Sequence, residues 1–511
     1  MAALAVSIVR WTERIPMSDG VELATEIAVP GPGRWPSLVA RTPYGRNGVD
    51  PGPLLDAGYA VVVQDVRGTG DSGGSVIELW SRHSGRDGRE TLRWLAEQPW
   101  SDGRVGTFGA SALGIEQVLL AAELPPELVC QHIVMAPYDL MGSIFRGGVM
   151  RKRMVEDWIR RHGSDEMLRM LRDHSPGTDR ERVSLPGPDF SALRYPTFHV
   201  GGWFDPFCQD TIDAFRGLNY RGAEGARGRQ VLVLGPWVHG GYSNSVQGEL
   251  RFPENSKYDI EGERIEWFDS WLKSREFRLA PVRYYVMGDV DRSSGKWNTW
   301  RSSGVWPVPS KRLDLYLRAG GGVSEEASTE NDSCDDYVYD PADPVPTVGG
   351  ATLAKLDPGP RDQRSVESRG DVLVYDLPVR DAAIEITGFV WVELWVCSES
   401  STTDFTAKLT DVYPDGRSML ILDGITRVRG LGRSPSSVRI ELGSTSLVFA
   451  EGHSMRLAIS SSNYPRYERN SNIGPRDEGQ GGYRPVRNTV FHDRKRSSRV
   501  VVPRIAEGAG R

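Results

Sequence analysis

Strand-like and helix-like segments alternate over the first 280 residues, and this alternation limits the fold more than any other feature of the sequence. Leu38–Ala40 and Tyr59–Gln64 are apolar runs flanked by Gly, Pro and Asp, the pattern of strands buried on both faces. Arg86–Gln98 sets Leu92, Leu95 and Ala96 at helical spacing until Pro99 stops it. A strand at Arg104–Phe108, a helix at Ile115–Ala122, and strands at Val129–Met135, Pro196–Gly201 and Gln230–Leu234 continue the series. Such alternation needs crossover connections, so it predicts an α/β fold with a mostly parallel sheet covered on both faces. Ala2–Val9 reads as a first strand; it lacks the basic lead and cleavage signature of a signal peptide.

Between Met141 and Leu185 the strand pattern lapses. Met154, Val155, Trp158 and Ile159, then Met167, Leu168 and Leu171, fall at helical spacing among many arginines. The segment at about 140–190 is expected to be a short helical cap inserted over one edge of the sheet, the alternative being a pair of crossover helices. After Pro281 the helical spacing stops. Arg312–Leu317, Asp371–Tyr375, Phe389–Val396, Val438–Leu442 and Val500–Val502 are short strand-like runs between turn-forming clusters. They predict a β-sandwich of jelly-roll type over 281–511, following an α/β domain over 1–280. Polar, Ser-rich Gly320–Asp336 is expected to be an exposed loop.

Charge and cysteine usage remove several function classes. The net charge of −6 gives no reason to expect nucleic acid or an anionic membrane as partner. The last 51 residues are basic, 11 Lys and Arg against 5 Asp and Glu, but few aromatics interleave them, as befits a solvated strand edge. Cys130, Cys208, Cys334 and Cys397 are dispersed, so neither a disulfide framework nor a zinc site is expected, and a reducing cytoplasm suits them. No metal or other cofactor is implied, and no apolar run approaches the roughly 18 residues of a membrane span. The oligomeric state stays open between a monomer and a homo-oligomer.

The strongest chemical signal is Gly109-Ala110-Ser111-Ala112-Leu113-Gly114, between a strand and a helix. A tight turn in that setting lifts a serine hydroxyl above the sheet, although the last glycine falls one place later than in G-x-S-x-G. A nucleophilic serine needs a base. Of eight histidines, His239 alone follows a buried strand of the α/β domain within a loop, Gly235-Pro236-Trp237-Val238-His239-Gly240. His132 and His199 sit inside strands, where core histidines are expected. Asp205, in the loop after Pro196–Gly201, supplies the acid; Asp139 and Asp210 are rivals by position that suit turn or N-cap roles better. The order Ser111, Asp205, His239 is that of α/β-hydrolases.

Several further segments carry a specific resemblance. Arg41-Thr42-Pro43-Tyr44-Gly45, Asp65-Val66-Arg67-Gly68-Thr69-Gly70-Asp71-Ser72, Gly202-Trp203-Phe204-Asp205, Trp267-Phe268-Asp269-Ser270-Trp271-Leu272 and Asp404-Phe405-Thr406-Ala407-Lys408-Leu409-Thr410-Asp411-Val412 occur in order. Together the chain resembles the cocaine esterase-like (CocE/NonD) serine hydrolases, related to X-Pro dipeptidyl-peptidases and α-amino-acid ester hydrolases, from about residue 10 to 504. The resemblance implies an α/β-hydrolase core followed by a jelly-roll domain. It also implies an oxyanion hole made of the Tyr44 hydroxyl and the Ala112 amide. Ala112 stands where the family usually has an aromatic residue, which widens one wall of the pocket. Asp65, Arg67, Ser72 and Asp269 are expected to be structural, whereas Phe207, Trp203 and the cap's Trp158 are candidate substrate contacts.

The expected reaction is hydrolysis of an ester or amide of a small acyl substrate through an acyl-enzyme. Acyl transfer on the same three residues is an alternative, and a non-catalytic ligand-binding role is a more distant one.

Overall fold

The computed structural model describes residues 8–172, 189–276, 278–379, 382–473 and 482–506. Its first strands are β1 (Val9–Pro16), β2 (Glu22–Val29), β3 (Trp35–Thr42), β4 (Ala60–Asp65), β5 (Ser101–Ala110) and β6 (Leu128–Val134). A short hairpin, β7 (Phe145–Arg146) and β8 (Val149–Met150), precedes β9 (Thr197–Phe204) and β10 (Val231–Val238). A second, β11 (Val246–Gln247) and β12 (Leu250–Arg251), precedes β13 (Val282–Val286) and β14 (Thr299–Ser303). Ten of these form one sheet in the order β1-β2-β4-β3-β5-β6-β9-β10-β13-β14. From β4 to β13 every neighbouring pair is parallel. Helices cover both faces, which is why β4, β9 and most of β10 are buried at consecutive positions rather than alternate ones.

The sheet runs past residue 280, where the sequence placed the end of the α/β domain. β13 pairs with β10 in parallel register, Leu232 opposite Val282, and the Leu232 amide donates to the Pro281 carbonyl at 2.8 Å. β14 then returns antiparallel to close that edge. The α/β-hydrolase core is thus built from chain on both sides of Pro281.

In the cap, helices Lys152–His162 and Asp165–Arg172 bury Val155, Ile159, Leu168 and Leu171 against Ile144 and Met150. The rest of the expected cap, including His174 and Leu185, lies outside the described residues. The cap also leans on the second domain, where the Arg427 amide donates to Gly147 at 2.8 Å and the Glu468 amide to Met150 at 3.0 Å.

The C-terminal β-sandwich is an eleven-stranded array. Its longest strands are Ile384–Ser398, Thr402–Val412, Ser418–Arg429 and Ser436–Phe449. Gly320–Asp336 is exposed or half-buried at nearly every position but is not all loop, since Gly322–Ser324 is a strand and Cys334–Tyr339 begins within it. Thr402–Val412 is buried along nearly its whole length despite carrying Asp404, Lys408 and Asp411. Each polar group there has a partner: Arg427 for Asp404, Gln363 for Lys408 and His453 for Asp411. One apolar cluster continues from Trp203, Phe204 and Phe215 through Tyr285 and Trp306 into the sandwich strands, so the two parts share a core.

The end of β3 is fixed by a buried ion pair. Arg41 Nη1 lies 3.0 Å from Glu116 on the helix Ala112–Ala122, donates to the Ser84 carbonyl at 2.6 Å, and its Nε donates to Gln64 at 2.9 Å. Burial outweighs Arg41 and pushes the Glu116 carboxyl up to about 7. An acid whose pKa is raised on folding favours the folded state most below its unfolded value of about 4.3, and that contribution disappears as pH rises through 7. The stability of wild type relative to Glu116→Gln should therefore fall between about pH 4.3 and 7, read from urea unfolding at a series of pH values. A difference independent of pH would show that Glu116 ionises normally.

Candidate active site

Ser111 stands where β5 turns into the helix Ala112–Ala122, at φ 56° and ψ −121°. A non-glycine residue holds such a conformation only when its surroundings enforce it. The Ser111 amide donates to the Val134 carbonyl at 2.9 Å, and the Ser111 carbonyl accepts from Gly114 and Ile115. Two glycines make the turn possible. A Cβ on Gly109 would lie 2.5 Å from Leu113 Cβ, and one on Gly114 would lie 2.4 Å from Ala136 Cβ. Ala112 opens the helix, so helix geometry leaves its amide without an intrahelical acceptor.

Asp205 follows β9 and His239 follows β10, so both lie at the same end of the sheet as Ser111, where parallel strands collect functional groups. His239 Nδ1 is 2.6 Å from Asp205 Oδ1, and Asp205 Oδ2 accepts the Phe207 amide at 3.0 Å. Asp205 is 1% exposed, and its two carboxylate oxygens are committed to holding the imidazole and its own turn. The Phe207 ring packs edge-on to His239, with centroids 5.6 Å apart. The rivals lie elsewhere: Asp139 caps the helix Leu140–Ile144, and Asp210 pairs with Arg146 at 2.6 Å.

Tyr44, in the loop after β3, reaches Ser111 with its hydroxyl although the residue as a whole is 43% exposed. The Trp158 indole N–H donates to that hydroxyl at 2.9 Å. An indole nitrogen is donor only, so this bond occupies a phenol lone pair and leaves the phenol proton to be given elsewhere. Desolvation of the hydroxyl raises the Tyr44 pKa further above neutrality, which keeps that proton in place. His162, one turn beyond Trp158, packs on the Tyr44 ring at 4.7 Å, and Trp80 packs on Trp158 at 4.2 Å.

Ser111 opens into a cavity of about 410 Å³ between the sheet and the cap. Ala112, Ile115, Ile144, Met154, Trp158 and Phe207 are among its walls, and no acidic side chain is among the described lining residues. Trp203 is not. It is 2% exposed, its indole N–H donates to the Tyr285 carbonyl at 2.8 Å, and its ring packs near Trp306. A buried indole needs an acceptor, and the seam between the domains supplies one where the apolar cavity would not. Trp80, Met167, Met170 and Leu353 also reach the cavity, from three separate segments whose convergence is a tertiary fact without a local sequence signal.

Asp65, Arg67 and Ser72 form a brace behind the site. Arg67 pairs with Asp87 at 2.6 Å and Asp19 at 2.7 Å, and Ser72 Oγ donates to the Asp65 carbonyl at 2.7 Å. Asp269 accepts from the Tyr59 hydroxyl at 2.6 Å and pairs with Lys273 and Arg275. Among the described residues no group of His, Cys, Asp and Glu is arranged to hold a metal ion, and no helix is long and apolar enough to cross a membrane.

The model of the X-Pro dipeptidyl-peptidase (S15) family matches residues 19–182 and 157–241, and that of the X-Pro dipeptidyl-peptidase C-terminal non-catalytic domain matches 276–501. A cocaine esterase from Rhodococcus sp. (strain MB1 Bresler) is 31% identical over 90% of this chain and 92% of its own. The chain belongs to the cocaine esterase-like family of serine hydrolases. A putative serine esterase of Mycobacterium tuberculosis is 24% identical to this cocaine esterase-like hydrolase, over 87% of this chain and 89% of that protein. Two solved structures share its fold. An aminopeptidase from a marine sediment Thaumarchaeota archaeon superposes with TM-score 0.83 at 23% identity, covering 98% of this chain and 97% of that one. An α-amino acid ester hydrolase gives 0.79 at 22% identity, covering 99% and 98%.

The cocaine esterase-like turn at Ser111 has a direct test in its packing. Gly114→Ala sets a methyl against Ala136 Cβ at a distance no real pair adopts, so the helix has to shift. Overpacking of this kind costs about 1–3 kcal/mol, which urea unfolding resolves. Unchanged stability would mean that this helix does not lie against the end of β6.

Proposed function

We propose that this enzyme hydrolyses esters of apolar carboxylic acids through an acyl-enzyme on Ser111. The observation that carries the reading is the 2.6 Å bond between His239 and Asp205, set in the turn that also places Phe207 on the Ser111 cavity. His239 Nε2 takes the Ser111 proton as Oγ bonds to the ester carbonyl carbon. The carbonyl oxygen becomes an oxyanion, to which the Tyr44 hydroxyl and the Ala112 amide donate. Collapse breaks the ester C–O bond, and the leaving alkoxide takes the proton from His239. Water then repeats the sequence: its oxygen bonds to the acyl carbon as His239 takes its proton, the acyl–Oγ bond breaks as Oγ takes that proton back from His239, and the acid departs. Asp205 holds the imidazole in the tautomer with the proton on Nδ1 throughout.

The lining, apolar apart from Arg82, His83 and three serines, supports an acyl group without positive charge. A substrate with a free α-ammonium would need a carboxylate beside the acyl pocket, and no described lining residue supplies one. That favours an ester hydrolase over an aminopeptidase or amino-acid ester hydrolase, in keeping with the relative named cocaine esterase.

A series of p-nitrophenyl esters from acetate to hexanoate tests the substrate class. Each methylene entering the cavity should raise kcat/KM by up to about fourfold, from roughly 0.8 kcal/mol per buried CH₂. Preference for alanyl or prolyl p-nitroanilides over these esters would contradict it. Tyr44→Phe should lower kcat by about 10²–10³ with little change in KM; an unchanged kcat would remove Tyr44 from the reaction.

A further inference from the structure

A second cavity, of about 340 Å³, lies on the far side of the Asp205 turn, where the cap, the α/β core and the sandwich meet. Its walls include Arg146 and Arg151 of the cap, Pro206 beside the proposed catalytic acid, and Asp423, Arg466 and Tyr467 of the sandwich. Its charges balance in sum, Arg146, Arg151, Arg439 and Arg466 against Asp205, Asp210, Asp423 and Glu441, but they are not evenly paired. Arg146 pairs with Asp210, and Arg466 pairs with Asp423, which also accepts from Asn463. Asp205 is committed to His239. At the rim, Arg439 and Glu441 lie 3.6 Å apart.

Arg151 has no carboxylate partner among the described residues. It is 6% exposed; Nη1 donates to the Pro206 carbonyl at 2.8 Å and to Ser143 Oγ at 3.3 Å, and its buried Nε has no acceptor. The buried Nε atoms of Arg146 and Arg466 are unpaired as well. Burial first, and then the nearby charges of Arg146 and Arg466, disfavour the Arg151 cation, with Tyr467 and Asp210 working the other way. Arginine cannot escape by giving up its proton, so a buried N–H that the protein leaves unmet calls for an acceptor.

We propose that this interdomain cavity is a binding site for a small oxyanion, inorganic phosphate or a carboxylate, held by Arg151 between Arg146 and Arg466. A guanidinium offers paired N–H groups that match both phosphate and carboxylate oxygens, and the cavity is large enough for either ion with several waters. The bound ion joins three parts of the molecule through one charge. Its site is separate from the Ser111 cavity and does not depend on which ester the enzyme cleaves.

Equilibrium dialysis of the full-length protein in a chloride-free zwitterionic buffer tests the site, with radiolabelled inorganic phosphate in one arm and radiolabelled acetate in the other. The expected result is saturable binding of one equivalent in at least one arm, and the tighter arm identifies the class of ion. Arg151→Met should weaken that binding at least about tenfold. Arg146→Gln, at a more exposed position, should weaken it several-fold. Absence of saturable binding to wild type in both arms up to about 10 mM would overturn the proposal. So would wild-type affinity in folded Arg151→Met, with folding checked by circular dichroism. If Arg151→Met does not fold, unchanged affinity in Arg146→Gln overturns it instead.

Discussion

Ser111 occupies a backbone conformation, φ 56° and ψ −121°, that costs of order 1–3 kcal/mol and that the surrounding structure has to impose. The imposition comes from both sides. β5 delivers the chain into the turn, and the helix after it lies so close to β6 that Gly114 has no room for a side chain. The rest of the site is arranged about that turn. β9 and β10 end at the same edge of the sheet and present Asp205 and His239 as a bonded pair, and β3 ends in the loop of Tyr44. The buried Arg41–Glu116 pair ties the Tyr44 strand to the helix that begins at Ala112, so the two proposed oxyanion donors are referred to one rigid unit.

The cap adds specificity to this frame. Trp158 is at once a wall of the Ser111 cavity and the donor that occupies a Tyr44 lone pair. The position of the cap helix and the direction of the phenol proton are therefore set together. The cap in turn is held through backbone hydrogen bonds to the sandwich, which gives the C-terminal domain a part in shaping a site to which it contributes few residues.

The α/β half of the fold was legible because strands buried on both faces need continuous apolar runs, and β4 and β10 have them. Ser111, Asp205 and His239 could be singled out because each follows such a run. Other features depend on contacts that no local pattern records. Thr402–Val412 is a buried strand whose Asp404, Lys408 and Asp411 look like surface residues until Arg427, Gln363 and His453 meet them. Trp203 lies two residues from Asp205, and only the Tyr285 carbonyl decides that its indole turns to the seam. β13 and β14 belong to the first sheet because β10 has a free edge, which the change of texture at Pro281 conceals.

Whether Ser111 carries the acyl group is read by mass spectrometry of protein acid-quenched during turnover of p-nitrophenyl butyrate. The expected result is a covalent butyryl adduct that maps by peptide sequencing to Ser111 and is absent from Ser111→Ala. An adduct on a different residue, or turnover by Ser111→Ala at the wild-type rate, would contradict it.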